Sequence, residues 1–257
     1  MALTTNIVAY WKLDETSGTS ASDATGNSHT ATLQTNASFV SGGKINYGLQ
    51  PATSGTDAAG ACIASGSTGA LDFTQYPFSA GAWIKTTNNT AVGNGDMVVV
   101  MSTINASPYD SWLIGMHMAS PIGTMYGEYR TASNSYYTSN TSTAYNDGAW
   151  HYVAFIIDAS GNMTLYVDGV SQATGTASGT MSTGKSFSIG VNRPTANTSD
   201  QWVGTIDEVG VWSRALSSTE VSQLYNGGAG LQYPFATNPV ARALPIIGQA
   251  INRASTY

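Results

Sequence analysis

The chain has 257 residues, of which 42% are hydrophobic, so it is long enough to bury a full core in one all-β domain. Only 9% of the residues are charged, the formal net charge is −6, and no cluster of basic residues is present. We therefore expect no nucleic-acid partner, because nothing would neutralise its phosphates. No run of eighteen apolar residues occurs, so we expect no membrane partner either.

The N-terminal end lacks the features of a secretory signal. Residues 1–5 contain neither a basic region nor an apolar one, and they lead directly into a strand-like segment. Two explanations are consistent with this start: either a signal was replaced by a methionine, or the protein leaves its cell by another route, for instance inside a virus particle. We expect a location on a virion surface or outside the cell.

Most of the chain consists of short apolar segments separated by turn residues, with almost no helical periodicity. Strands are predicted at residues 7–13, 78–85, 97–102, 111–118, 150–158, 163–168 and 186–191. The segment 150–158 is apolar on both faces, which predicts a central strand between two layers. Many short strands at this spacing are typical of an antiparallel sandwich or jelly roll.

Residues 204–225 predict a buried strand that runs directly into one short helix. Ser217, followed three residues later by Glu220, is the pattern of a capping box, and two glycines at 227 and 228 predict the end of the helix. We expect burial of Trp150, Phe155, Ile157, Leu165, Val167, Ile206 and Val209.

The tail, residues 227–257, begins with a glycine-rich linker and contains three prolines, which interrupt regular structure. It nevertheless carries Leu244, Ile246, Ile247 and Ile251. Either this tail packs on the sandwich, or it docks on a partner. We expect docking, on a capsid protein, another virion protein or a second copy of the chain, because these side chains would otherwise be exposed together.

The acidic residues lack the pattern of a glycan hydrolase. Sandwich hydrolases carry Glu-x-Asp-x-x-Glu on one strand, which places alternate carboxylates on one face, and no such triplet occurs here. Asp207 and Glu208 are sequence neighbours, so we expect them on opposite faces of their strand. The histidines at 29, 117 and 151 lack the spacing of a zinc motif. We therefore expect no catalytic residues and no enzymatic activity.

The loop Asp23–His29 contains donors that suit calcium. Asp23 would bind through its carboxylate, Asn27 and His29 through backbone oxygens, and Gly26 permits the sharp turn that such a loop requires. The alternative is that Asp23 and Asn27 only hydrogen-bond their own turn.

A second candidate site is a group of aromatic residues within a segment rich in Asn, Ser and Thr. Such side chains stack on sugar rings and bind sugar hydroxyls, but they also fill the cores of sandwiches. The candidate ligand contacts are Trp112, Tyr126, Tyr129, Arg130, Tyr136 and Tyr137.

The order of several motifs resembles that of laminin-G-like, concanavalin A-like jelly-roll domains over about residues 6–226. The motifs lie at residues 9–18, 23–29, 147–154, 165–170 and 204–225. The resemblance implies a two-sheet antiparallel jelly roll over residues 5–226, with one short C-terminal helix and an extended tail. It also places Asp207 beside the loop Asp23–His29, which gives a structural calcium site formed by Asp23, Asn27, His29 and Asp207.

Resemblance and context together predict a non-catalytic structural or adhesion module on a virion or cell surface. We expect a bacteriophage capsid decoration or fibre-type protein that binds glycans. The first alternative is a carbohydrate-binding module of a secreted bacterial protein. The second is a glycoside hydrolase, which the missing carboxylate triplet disfavours.

Overall fold

The computed structural model describes residues 1–51, 62–64, 71–90, 97–104, 110–192 and 200–235. Strands make up most of the regular structure in these ranges, and each segment predicted to be a strand contains one. In chain order the strands are β1 (Ile7–Trp11), β2 (Ser20–Ala21), β3 (Ala31–Leu33), β4 (Ser38–Ile45), β5 (Tyr47–Gln50), β6 (Cys62–Ala64), β7 (Phe78–Lys85), β8 (Met97–Ile104), β9 (Ser111–His117), β10 (Thr124–Arg130), β11 (Tyr136–Ala144), β12 (His151–Ile157), β13 (Asn162–Val167), β14 (Val170–Thr176), β15 (Ser186–Ile189) and β16 (Thr205–Trp212).

The strands form two antiparallel sheets. Sheet A has the order β14-β13-β12-β7-β16-β5-β4, with β1 also paired to β16. Sheet B has the order β11-β10-β9-β8-β15-β6-β3-β2. The two sheets, with one short helix near the C-terminal end, confirm the predicted jelly-roll sandwich.

The main core lies between the inner faces of the two sheets. Alternate residues of each strand enter it, as β12 shows: Phe155 and Ile157 face sheet B, whereas Tyr152 and Ile156 lie on the outer face of sheet A. The prediction of a central strand that is apolar on both faces is thus confirmed, because β12 lies between β7 and β13.

The expected burial is confirmed for all but one of the predicted core side chains. Six of the seven side chains are at most 1% exposed: Phe155, Ile157, Leu165, Val167, Ile206 and Val209. Trp150 is the exception, since it is only half-buried. It precedes β12 rather than belonging to it, and its ring packs at the margin of the cluster on the outer face of sheet A.

The outer face of sheet A is covered by helix α1 (Ser218–Tyr225) and by residues 231–235. The predicted capping box is present, since the Ser217 hydroxyl accepts from the backbone N–H of Glu220 while the Glu220 carboxylate accepts from that of Ser217. Val221 and Leu224 pack onto the sheet. In the described part of the chain no helix is long and apolar enough to cross a membrane.

The packed chain continues beyond residue 226, where the jelly roll was expected to end. Leu231 is half-buried, Phe235 is buried, and the Phe235 ring meets the Tyr10 ring edge-on at 5.1 Å between centroids. The first part of the predicted tail therefore belongs to the sandwich. The apolar residues Leu244, Ile246, Ile247 and Ile251 lie outside the described residues, so their docking stays a prediction.

Candidate functional site

The outer face of sheet B carries a set of polar and aromatic side chains that alternate with core residues. On β10, Tyr126, Glu128 and Arg130 point outward, because Met125 and Tyr129, which occupy the alternate positions, belong to the core. The neighbouring strand β11 contributes Asn140, Thr138 and Tyr136, which lie opposite those three outward residues.

Arg130 and Tyr136 form the exposed end of this face. The Arg130 guanidinium lies 4.4 Å from the centroid of the Tyr136 ring, within the range of a cation–π contact. Arg130 also donates to the Asn134 side-chain oxygen, with Nε and Oδ1 2.9 Å apart. Tyr136 is 54% exposed, so its ring is available to a ligand.

Three of the six predicted ligand contacts do not lie on this face. Trp112 and Tyr129 are completely buried in the core between the sheets, and Tyr137 lies opposite Tyr129 and packs against the same core. The prediction that they present rings to a ligand does not fit these positions. Successive side chains of a strand point to opposite faces, and the sequence has aromatic residues at positions that face the core as well as at positions that face outward.

Tyr126 lies on the outer face but is covered. It is 3% exposed, its ring stacks on His117 with centroids 4.5 Å apart, and its hydroxyl donates to the Met97 sulfur. Burial, followed by the charges of Glu128 and Asp200, raises its pKa well above the usual 10. Tyr126 therefore stays protonated and acts as a neutral aromatic wall of the face.

Glu128 was not predicted from the sequence, although it lies between two residues that were. It is 8% exposed, and burial raises its pKa to about 6, while Arg130 and a hydrogen bond from Ser111 act in the opposite direction. The sequence did contain a signal for Glu128. It lies two residues from Tyr126 and two residues from Arg130, and residues two apart on a strand share a face.

The side-chain amide of Gln201 is buried on this face near β8. Gln201 pairs in parallel with Val99, an outward residue of β8, and Trp202 next to it enters the core, so the Gln201 side chain lies on the outer face. Asn192 lies nearby and donates to the Asp200 carboxylate over 3.2 Å. No local sequence signal identified either amide, because the pairing of residue 201 with residue 99 is non-local.

In the loop Asp23–His29, the polar side chains form hydrogen bonds to the loop itself and to β1. The Asp23 carboxylate accepts from the backbone N–H groups of Tyr10, Thr25 and His29 and from the Thr25 hydroxyl. The Asn27 amide donates to the backbone of β1, with Nδ2 2.9 Å from the Val8 oxygen. This arrangement matches the alternative in which Asp23 and Asn27 serve the loop itself.

Asp207 and Glu208 lie on the same face of sheet A, so the prediction of opposite faces is wrong. Between the pairs Asp207–Trp83 and Gly210–Gly81 the register of β16 shifts by one residue, and Glu208 has a positive φ of 51°. This β-bulge turns both carboxyl groups outward. Strict alternation assumes an unbroken ladder, which this strand lacks.

Burial raises the cost of ionising both carboxyl groups. Burial and then the charge of Glu208 raise the pKa of Asp207 to about 9, and burial raises that of Glu208 to about 7. Asp207 accepts from the Ile45 N–H at 2.9 Å, and Glu208 accepts from the Tyr10 hydroxyl at 2.6 Å. Protonation of the pair is therefore favoured near neutral pH.

Asp23 and Asp207, two members of the predicted calcium site, have separate hydrogen-bond partners. The Asp23 carboxylate accepts from its own loop and from Tyr10, whereas Asp207 accepts from the backbone N–H groups of Ile45 and Glu208. Within the described ranges no group of three or more His, Cys, Asp or Glu side chains is arranged to hold a metal ion. Calcium bound by Asp23, Asn27, His29 and Asp207 stays a prediction.

Comparison with known proteins agrees with the fold and with a binding role for the relatives. A sequence model of the concanavalin A-like lectin/glucanases superfamily matches residues 55–222. No curated protein sequence matches the chain significantly.

Several solved structures share the architecture. The binding domain of Paraclostridial Mosquitocidal Protein 1 superposes with a TM-score of 0.67 at 15% identity, over 88% of this chain and 53% of that one. Domain 4 of AbnA, an extracellular arabinanase from Geobacillus stearothermophilus in complex with arabinotriose, gives 0.62 at 20% identity, over 84% and 97%. The botulinum neurotoxin serotype D ligand binding domain, in complex with N-acetylneuraminic acid, gives 0.63 at 13% identity, over 87% and 51%.

At these identities the similarity establishes a shared fold. The chain spans about half the length of the toxin chains that it matches and nearly the whole of the arabinanase domain.

Proposed function

The chain belongs to the concanavalin A-like lectin/glucanase superfamily, and from this membership we propose that it is a non-catalytic module that binds glycans through the outer face of sheet B. The single observation that supports this face is the exposed ring of Tyr136, which is flanked by the Arg130 guanidinium and by a row of polar side chains. Ligand sites in proteins combine such aromatic surfaces with a few fixed polar groups.

The chemistry of the face supports binding rather than hydrolysis. Glycoside hydrolysis requires two carboxyl groups on either side of the scissile bond, about 5 Å or about 6.5–9.5 Å apart. The sequence lacks the Glu-x-Asp-x-x-Glu pattern that would place such a pair on one face of a strand. Two of the structural relatives named above are binding domains, and the third is domain 4 of an arabinanase in complex with arabinotriose, which favours the same proposal.

Two settings for such a module remain proposals. A virion-surface decoration or fibre protein is the first, as the sequence predicts. A carbohydrate-binding module of a secreted bacterial protein is the second, and it is favoured by the similarity to almost the whole of domain 4 of an extracellular arabinanase.

Titration calorimetry with arabinotriose and with N-acetylneuraminic acid tests the proposal. We expect measurable binding of one of these sugars by the wild-type chain and at least a tenfold weaker Kd for Tyr136→Ala, equivalent to about 1.4 kcal/mol. Val170→Ala is the matched control, because Val170 is 59% exposed but lies on sheet A. Equal affinities for wild type, Tyr136→Ala and the control would overturn the choice of this face.

A further inference from the structure

We propose that the side chains of Lys185 and Asp72 join in an intramolecular isopeptide bond, with Asp110 as the group that carries protons during the reaction. The product is an amide between the side-chain nitrogen of Lys185 and the side-chain carboxyl carbon of Asp72. The site lies inside the sandwich, away from the face proposed to bind glycans, and its chemistry is independent of that function.

Asp110 and Lys185 enter the core at the same end of sheet B. Asp110 directly precedes β9 and lies two residues before the core residue Trp112. Lys185 directly precedes β15 and lies two residues before the core residue Phe187. Trp112 and Phe187 both lie opposite Thr103 of β8, so they share one row of the sheet. Because residues two apart share a face, the two charged side chains point inward together.

Asp72 reaches the same place from the segment that leads into sheet A. Its neighbour Phe73 belongs to the main core and stacks on Phe78 of β7, with ring centroids 5.0 Å apart. The backbone N–H of Gly184 donates to the Asp72 carboxylate and so holds it beside Lys185. A bond between residues 72 and 185 therefore joins the segment before β7 of sheet A to the start of β15 in sheet B.

The amine is in contact with the carboxyl group that it attacks. Lys185 Nζ lies 2.8 Å from Asp72 Oδ1 and 3.9 Å from Asp110 Oδ2. Among the described residues Asp72 Oδ1 has no hydrogen-bond partner despite this distance, so the two groups touch without the alignment of a hydrogen bond. Groups that a fold holds at contact distance react far faster than the same groups free in solution.

Burial favours the amide over the ion pair. The side chains of Lys185 and Asp110 are completely buried, and that of Asp72 is 5% exposed. Buried charges lose their hydration, and their attraction offsets this cost only where the geometry is excellent. An amide is neutral, so its formation removes two of the buried charges. A lysine that is stripped of water is also activated as a nucleophile.

Ser182 positions the other two participants. Its backbone N–H and its hydroxyl donate to the Asp110 carboxylate, with Oγ and Oδ1 2.8 Å apart, and its carbonyl oxygen accepts from Lys185 Nζ. Asp110 is thereby fixed beside the amine. At 3.9 Å a small rotation of the Lys185 side chain brings Nζ within hydrogen-bond reach of Asp110, as proton transfer requires.

The reaction converts one ammonium and one carboxylate into one amide and one water, so it needs no co-reactant. Asp110 accepts a proton from Lys185 Nζ, and the freed lone pair forms the C–N bond to Asp72 Cγ. One C–O bond of Asp72 then breaks. Its oxygen leaves as water with two protons, one returned by Asp110 and one from the nitrogen, and Asp110 ends unchanged.

Mass spectrometry of the intact, denatured chain tests the bond. We expect the wild-type mass to be lower than the sequence mass by one water molecule. Tryptic digestion should give a branched peptide that joins residues 72 and 185, uncut after Lys185 because its amine is acylated. Lys185→Arg keeps the positive charge but offers no amine, so we expect its full sequence mass.

Two further variants separate the roles. Asp110→Asn removes the proton carrier and keeps an oxygen toward Ser182, so it should also have its full sequence mass. Lys44→Arg is the matched control, because Lys44 lies on sheet A, 4.3 Å from the centroid of the Trp83 ring. That variant should lack one water molecule, as the wild type does.

Each contrary result is decisive. A wild-type mass equal to the sequence mass overturns the bond and leaves a buried ion pair. The loss of one water in Lys185→Arg also overturns it, because the water then comes from another reaction, such as succinimide formation at Asp147 and Gly148. A wild-type loss of water without the branched peptide has the same meaning. A loss of water in Asp110→Asn as complete as in the wild type overturns the role of Asp110.

Discussion

At the scale of single residues, the buried carboxyl groups of Asp207 and Glu208 are costly to ionise, because burial removes them from water. Both are buried, and the raised pKa of Glu208, about 7 against an ordinary 4.5, means that the folded state holds a proton that the unfolded state releases. The stability associated with this proton is complete below pH 4.5 and is lost as the pH rises through 7.

We therefore predict that the free energy of unfolding decreases as the pH rises from about 4.5 through 7 because of Glu208, and that it continues to decrease toward pH 9 because of Asp207. The loss of the Glu208 proton alone lowers the free energy of unfolding by on the order of 3 kcal/mol, since each pKa unit is worth about 1.4 kcal/mol. Glu208→Gln, which keeps oxygen and nitrogen atoms facing Tyr10 and Gln232, should flatten the part of the decrease below about pH 7. Urea unfolding at a series of pH values measures it.

His151 provides the control for that measurement. Its hydrogen bond to Asp168, with Nδ1 and Oδ2 2.8 Å apart, is the main cause of a pKa above its usual 6.5, although burial opposes it. This group stabilises the fold below pH 6.5 and ceases to do so as the pH rises through its raised pKa. The Glu208→Gln variant should retain this part of the decrease, and an unaltered profile would contradict the account of Glu208.

The role of Asp23 is also a question at the residue scale. Because its carboxylate accepts four hydrogen bonds within and beside its loop, we predict that Asp23→Ala lowers the free energy of unfolding by about 1–3 kcal/mol. Thermal unfolding in chelator and in excess calcium then separates the two hypotheses. If Asp23 holds only its turn, the Tm difference is the same in both solutions. A difference seen only with calcium would show that the predicted metal site exists.

At the scale of elements, helix α1 depends on its cap. Ser217→Ala removes the side-chain acceptor of the capping box, and we predict a loss of about 0.5–2 kcal/mol. Ser222→Ala on the exposed face of the same helix is the matched control, and it should be neutral, since alanine is the better helix former. Equal effects of the two substitutions in urea unfolding would show that the cap contributes nothing.

The comparison of sequence with structure differs from element to element. The strands and the capped helix were predictable because alternation and caps are local patterns. The sequence did not predict which face of β10 enters the core. Tyr126 and Tyr129 are both aromatic and lie on opposite faces, and only the packing decides which one is in the core. The bulge at Glu208 and the pairing of Gln201 with Val99 depend on distant strands, so the residues around them could not indicate either.

At the scale of the whole molecule, the described chain remains packed as far as Phe235, which contacts Tyr10 and Trp212. We predict that deletion of residues 236–257 leaves a folded, soluble monomer, whereas deletion from residue 227 also removes Phe235 and the Gln232 hydrogen bonds and lowers the Tm. Light scattering and thermal unfolding of both truncations check this. If the shorter deletion unfolds the protein, residues 236–257 are part of the core and the docking hypothesis is wrong.

For the whole molecule we also expect no hydrolase activity. We predict that a panel of polysaccharides, including arabinan, releases reducing sugar only at the background rate. The reason is that the sequence lacks the Glu-x-Asp-x-x-Glu pattern that places the carboxylates of sandwich hydrolases on one face of a strand. Turnover that disappears in Glu128→Gln would contradict a purely binding role.

The central claim is that glycans bind on the outer face of sheet B, and its most direct test is a map of amide chemical shifts during titration with arabinotriose. The account predicts that the perturbed amides cluster on β9, β10 and β11, around Arg130 and Tyr136. Perturbations that cluster on sheet A or on the loop Asp23–His29 instead, or no perturbation by any sugar tested, would contradict it.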